Sequence, residues 1–448
     1  MTPIDLDRYT RALRASDPVR LNGRVEQIVG LVIESRGPRA SLGELCLVYG
    51  ARSAPPVRAE VVGFRSGRVL LMPLGDLSGV SPGSEVVATG QPLRVPVGSE
   101  LLGRVLDGLG QPIDGKGPIP AAHFRSVLAD PPSPMRRQRI EGILETGVRA
   151  IDGVLTCGKG QRLGIFSGSG VGKSVLLGML ARTSRSDVNV IALIGERGRE
   201  VREFIERDLG EEGLRRSVVI AVTSDQSPLV RVKGAMGAMA IAEAFRDTGL
   251  DVLFLMDSVT RFAMAQRELG LAVGEPPATK GYTPSVFALL PRLLERAGTA
   301  PVGSITGLFT VLVEGDDMQD PIADTVRAIL DGHVVLSRRL AMLGHYPAID
   351  VPESVSRVML EVASADHRAH ARHLAEILTR HREAEDLLSV GAYVRGGNPR
   401  TDRAIDLIDE VRGFLRQEVG ETSSLAATLA ALADLSARFV GKAAEKAK

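Results

Sequence analysis

The 448-residue chain has no tryptophan, only two cysteines and an aromatic content of 4%. Its core must therefore be built mainly from Val, Leu, Ile, Ala and Met. Cys46 and Cys157 stand far apart and do not suggest a disulfide framework, which fits a reducing cytoplasm. No apolar run approaches ~18 residues, so no membrane-spanning helix is expected. The first residues, MTPIDLDRYTRALRASD, lack the apolar centre of a secretory leader. An excess of one charge is missing too: 55 Lys and Arg face 54 Asp and Glu. No global field therefore draws the chain to nucleic acid or an anionic membrane.

What is present changes character along the chain. Residues 1–18 read as a short amphipathic helix carried by Ile4, Leu6, Tyr9 and Leu13. Residues 19–90 break into short Val- and Leu-rich runs punctuated by Gly and Pro, which predicts a small β-barrel. Residues 91–140 are dense in Gly, Pro and Asp and read as a linker. Over 141–358 the rhythm is strand, turn, helix, repeated, with apolar runs such as VNVIALIG and DVLFLMD. Near-continuous apolar strands alternating with helices predict a mostly parallel sheet covered on both faces, an α/β core. Residues 359–448 carry no strand signal and read as a helical domain.

One turn in the core has a chemical purpose. GIFSGSGVGKSVLLGML places a Gly-rich loop, Ser167, Gly168, Ser169, Gly170, Val171, Gly172, Lys173, Ser174 and Val175, between a strand and an amphipathic helix. Backbone N–H groups and the positive helix end converge there on one point, a site for phosphate. The phosphate-loop pattern asks for glycine where Ser167 stands. A small side chain fits that position if the backbone is not left-handed.

The rest of the constellation can be sought at strand ends. Asp257 closes DVLFLMD at the carboxyl end of a strand, where α/β ligand sites lie. It would hold Mg²⁺ through water while Ser174 coordinates the ion directly. Glu196 and Arg197, in ALIGERGREV, follow another buried strand. They are either a carboxylate that orients or deprotonates water with an arginine for the γ-phosphate, or the solvated start of a helix. His367, His370, His373 and His381 share one helix in steps that rotate around it. They predict a solvated face and no zinc site.

Several stretches in order, GRVLDGLGQPIDGKGPI, SGSGVGKS, GERGREV and YPAIDVPESVS, resemble the catalytic subunits of rotary ATP synthases. GEPPATKGYTPSVFALLPRLLERAG is closer to the type III export ATPases, and its wording to the flagellar branch. Those relatives also commonly carry a small non-glycine residue where Ser167 stands. The resemblance implies a RecA-like P-loop ATPase core between an N-terminal β-barrel and a C-terminal helical domain, assembled as a homohexamer. It implies ATP and Mg²⁺ at Lys173, Ser174 and Asp257, Glu196 as the catalytic carboxylate and Arg197 at the γ-phosphate. Tyr346 would stack on adenine, and Arg357 would be an arginine finger reaching a neighbouring subunit; the alternative is a pairing of Arg357 with Glu353 or Glu361. The implied partners are a stator-like regulatory protein at the N-terminal segment, the export gate, and export substrates with their chaperones at the C-terminal domain. Membrane association would be peripheral, at the cytoplasmic face of the bacterial inner membrane. The virulence injectisome ATPase and the rotary ATP synthase catalytic subunit are the rival readings. An RNA-directed ring helicase is disfavoured, because the barrel region offers only Tyr49 and Phe64 for base stacking.

Overall fold

A computed structural model describes residue 10 and residues 21–50, 55–313, 315 and 317–441. The helix expected over residues 1–18 lies outside the described residues except for Thr10. The chain divides into two compact units, residues 1–93 with 269–275, and residues 94–268 with 276–448.

In the first unit six antiparallel strands close into a barrel. In chain order they are Gly23–Val29, Val32–Arg36, Glu44–Tyr49, Val57–Arg65, Arg68–Pro73 and Glu85–Pro92. Val25, Ile33, Val48, Val61, Leu71 and Val86 fill its interior. Burial alternates along Gly23–Val29 and Glu44–Tyr49, turning one face inward, while Val69–Pro73 is buried throughout.

The second unit is built on a sheet that is parallel apart from two short antiparallel strands. Its order is Val355–Ser356, Gly332–Leu336, Arg162–Ser167, Ser304–Leu312, Asp251–Asp257, Val188–Glu196, Ser217–Thr223 and Arg104–Leu106. Gly298–Thr299 pairs beside Ser304–Leu312. The expected apolar runs are these strands, and Val188–Ile194 is buried throughout. Residues 91–140, expected to be a linker, hold short strands of their own. Arg104–Leu106 joins the main sheet beside Ser217–Thr223, and the chain turns directly after it, with the Asp107 N–H donated to the Gln111 carbonyl at 2.8 Å.

Helices Ala365–Ser389, Pro399–Leu415 and Leu425–Val440 form the helical C-terminal region. The four histidines on the first of these do not make a solvated face. His367 is buried, its Nε2 2.9 Å from the Gly153 carbonyl oxygen. His370 and His373 place Nδ1 2.8 and 2.7 Å from Ser436 Oγ. The helix packs against both later helices and Arg149–Val154, so rotation by steps of three carries successive histidines into contacts instead of water.

The helix that follows the phosphate loop, Lys173–Thr183, is wedged against a widened segment. Burial after Gly198 falls at Val201, Phe204, Asp208, Leu209 and Gly213. Phe204–Leu209 adopts π geometry, and its wider turn leaves the neighbours Asp208 and Leu209 both buried. A Cβ on Gly178 would lie 2.6 Å from the Asp208 carbonyl oxygen in that turn. Helix propensity alone favours Gly178→Ala by about 1 kcal/mol. We expect the opposite sign, a loss of about 1–3 kcal/mol from overpacking, read as a lower denaturation midpoint; a higher midpoint would refute the close approach.

Candidate active site

Three parallel strands end on the residues that matter. Ser167, Glu196 and Asp257 are the last residues of Arg162–Ser167, Val188–Glu196 and Asp251–Asp257. A parallel sheet aligns its carboxyl ends, so residues distant in sequence meet along one rim.

Ser167 is still strand, pairing with Leu312 and Leu336 on its two sides. Among the described residues only Ser66 and Lys280 combine a side chain with positive φ, so Ser167 needs no glycine freedom. That freedom is used at Gly170 and Gly172, with φ of 78° and 89°. Gly172 caps the helix Lys173–Thr183, whose first N–H groups have no intrahelical acceptor. Ser169, Gly170 and Ser174 are exposed at the mouth, while Ser167 Oγ is buried without a hydrogen-bond partner.

The lysine of the loop reaches across the rim. Lys173 Nζ makes a short ion pair with Asp257 and stands 3.8 Å from Glu196 Oε1. Asp257 also accepts from Thr310 Oγ1 at 2.8 Å. Glu196 Oε1 is buried and has no hydrogen-bond donor. Burial, then the Asp257 charge, pushes the Glu196 carboxyl up to about 7 against the opposing pull of Lys173. Such a carboxyl exchanges a proton near neutrality.

The arginines separate. Arg197 turns to solvent and pairs with Glu200 at 3.1 Å, the geometry expected of a helix start, while Glu196 beside it is half-buried with Oε1 out of water. Arg261 packs over Gly195, the residue before Glu196: its Cβ stands 2.8 Å from the position a Cβ on Gly195 would take, and its buried Nε has no hydrogen-bond partner among the described residues. Sequence reading passed over Arg261, although DSVTR places it four residues beyond Asp257 on the helix leaving the same strand.

Tyr346 covers the loop from the other side. Its ring carbons stand 3.4 Å from the position a Cβ on Gly172 would take. With Val175, Met179, Pro347 and Gln417–Val419 it lines a cleft of about 320 Å³. Gln417–Val419 were not foreseen, because a loop some 70 residues downstream carries no pattern pointing back to Tyr346. Their link is the Gln417 N–H donated to the Tyr346 carbonyl at 2.8 Å. Arg357 is elsewhere. Its backbone N–H bonds the Asp331 carbonyl at the amino end of the sheet, and its exposed side chain has no ion pair among the described residues. Glu353 is occupied by Arg382 at 3.1 Å.

Residues 147–356 match the ATP synthase alpha/beta family, nucleotide-binding domain, and residues 25–90 match its beta-barrel domain. Residues 363–434 match the T3SS EscN ATPase C-terminal domain. The flagellum-specific ATP synthase of Bacillus subtilis is 53% identical over 94% of this chain and 97% of its own. The chain belongs to the ATP synthase alpha/beta family. Within that family it stands with the flagellar and type III secretion ATPases, and it is a P-loop ATPase. The type 3 secretion system ATPase of Xanthomonas euvesicatoria is 52% identical over 96% of this chain and 97% of its own. The assembled ATPase EscN of the enteropathogenic E. coli (EPEC) type III secretion system superposes with a TM-score of 0.87 at 44% identity. That match covers 92% of this chain and 100% of EscN. EscN has also been solved in complex with its central stalk EscO, with a TM-score of 0.86 to this chain at 44% identity, covering 92% of this chain and 100% of that one.

The site predicts a pH response. A carboxyl near 7 is protonated in acid and cannot accept a proton there, so kcat/KM for ATP should fall about tenfold per unit below pH 7. Glu196→Gln should keep nucleotide binding and abolish turnover at every pH. A wild-type profile flat from pH 5.5 to 8 would move the base elsewhere.

Proposed function

We propose that the chain hydrolyses ATP as a homohexamer and that hydrolysis energises protein export through the flagellar type III apparatus. The observation that carries this reading is the Lys173–Asp257–Glu196 cluster at the rim of the sheet, beside a glycine loop open to phosphate.

In this reading the N–H groups of Gly168–Val175 wrap the β- and γ-phosphates, and Lys173 exchanges a carboxylate partner for phosphate oxygen. The residues suit a divalent ion: Ser174 is exposed at the helix start and Asp257 offers a buried carboxylate. Mg²⁺ bound there would neutralise phosphate charge. Glu196 takes a proton from the attacking water as its oxygen bonds the γ-phosphorus. The bond from phosphorus to the bridging oxygen breaks, and ADP leaves with that electron pair. Arg261 faces the same charge from beside Gly195, and Arg197 reaches it by leaving Glu200. Tyr346 stacks on adenine over Gly172.

Arg357 serves the neighbouring subunit. It lies at the opposite end of the sheet from its own phosphate loop, and its guanidinium has no ion pair among the described residues, which supports use in trans. The match to assembled EscN supports the ring, and the EscN–EscO complex supports a stalk partner. A stator-like protein at the N-terminal segment, and the export gate, substrates and chaperones at the C-terminal region, complete the reading. Exposed Leu387, Val390 and Val394 at the tip between the helices Ala365–Ser389 and Pro399–Leu415 give that region an apolar contact. With no helix among the described residues long and apolar enough to span a membrane, attachment at the cytoplasmic face of the inner membrane is through the apparatus.

Arg357→Ala should leave ATP binding near wild type and lower turnover by about 10³–10⁵. Mixed with Glu196→Gln subunits, it should regain single-turnover hydrolysis, since an intact Glu196 then faces an intact Arg357. No recovery from demonstrably mixed rings would return Arg357 to its own subunit. Placed in strains lacking either the flagellar or the injectisome ATPase, the chain should restore motility; effector secretion without motility would favour the injectisome.

A further inference from the structure

One stretch of chain links the base cleft to Arg357. After the strand Gly332–Leu336 and the short helix Arg338–Met342, the chain returns antiparallel along the sheet edge. Ser337 donates to the Ala348 carbonyl and Asp350 to that of Val335, each at 2.8 Å. Val335 in turn donates to Ser354 Oγ at 2.9 Å, and Val355 and Ser356 pair with His333 and Gly332. Tyr346 therefore sits at the phosphate-loop end of this edge segment and Arg357 at the other end. The six residue steps from Asp331 to Ser337 span about 20 Å.

The segment meets the helical C-terminal region at Tyr346, whose carbonyl accepts from the Gln417 N–H at 2.8 Å, and near its middle through a buried ion pair. Arg382 Nη2 donates to both oxygens of Asp350, at 2.7 and 2.6 Å, and Nη1 donates to Glu353 at 3.1 Å. The Asp350 side chain is 10% exposed. A carboxylate so placed is held by its guanidinium partner, and removing the partner strands a buried charge. The nearby pair Arg339–Glu385 is exposed at both ends and adds little hold.

We infer that Arg382 is a positioning residue for two sites at once: by fixing Asp350 it sets both Tyr346 in its own base cleft and Arg357 for the neighbour. This rests on the trans use of Arg357 proposed above. Movement of the helix Ala365–Ser389 would then reach both sites through one edge segment hydrogen-bonded along Gly332–Ser337.

The test separates the two ends in full-length protein. Affinity for a fluorescent ATP analogue is measured in the Glu196→Gln background with and without Arg382→Met. The same proteins then serve as donors of Arg357 to Arg357→Ala subunits in mixed rings, read by single-turnover hydrolysis. We expect at least threefold weaker binding and at least tenfold poorer donation, with Arg382→Lys between Arg382→Met and wild type. The variant Asp350→Asn with Arg382→Met leaves no stranded charge, folds on that account, and should show the same two losses. Recovery with Glu196→Gln donors that is equally good with Arg382→Met added would overturn the inference while the trans reading stands. Unchanged analogue affinity would overturn it too. Absent recovery even with Glu196→Gln donors would refute the trans reading itself.

Discussion

A single ammonium group holds the active site in shape before substrate arrives. Lys173 Nζ lies between two carboxylates at the ends of two different strands, both taken largely out of water. Without it, Asp257 and Glu196 would repel one another in a medium that screens them poorly. The rest of the fold serves this arrangement. The parallel sheet brings the strand ends level, Gly170 and Gly172 bend the loop so that the helix begins at Lys173, and the packing of Gly178 on the Asp208 turn fixes that helix. The ammonium is held in advance beside the loop, where in the proposed reaction it exchanges a carboxylate partner for phosphate oxygen.

Much of this was readable in the sequence, for a physical reason. Parallel strands buried on both faces have no polar face to interrupt them, so DVLFLMD and VNVIALIGE stand out as apolar runs closed by an acid. The two carboxylates could be named because each terminates such a run. The barrel was readable for another reason, short Val- and Leu-rich pieces punctuated by Gly and Pro. Ser167 also proved legible once its backbone was seen to be ordinary strand. The pattern excludes a side chain only where φ is positive, and here that burden falls two and four residues after Gly168.

What stayed hidden depends on long-range packing. Nothing local tells that Arg261 lies over Gly195, or that Gln417–Val419 fold back against Tyr346 from the C-terminal region. Helical phase alone made the histidines look solvated, since a helix contacted on several sides leaves no outward face. Arg197 shows the converse. Motif likeness placed it at the phosphate, whereas in the folded chain it pairs with Glu200 in water. The roles implied for these arginines therefore depend on motion or on a second copy, which one chain's sequence pattern does not encode.

The two margins of the central sheet bear on how copies of the chain can meet. One margin is the two-residue strand Val355–Ser356 and the other the three-residue strand Arg104–Leu106, while the six-stranded barrel closes on itself. Among the described residues, neither the margins of the central sheet nor the barrel offers a long free row of backbone N–H and carbonyl groups to another chain. Crowded copies are thereby kept from fusing into a continuous intermolecular sheet, the route to amyloid-like aggregates. Association is left to side chains, whose contacts are selective and can be broken and remade.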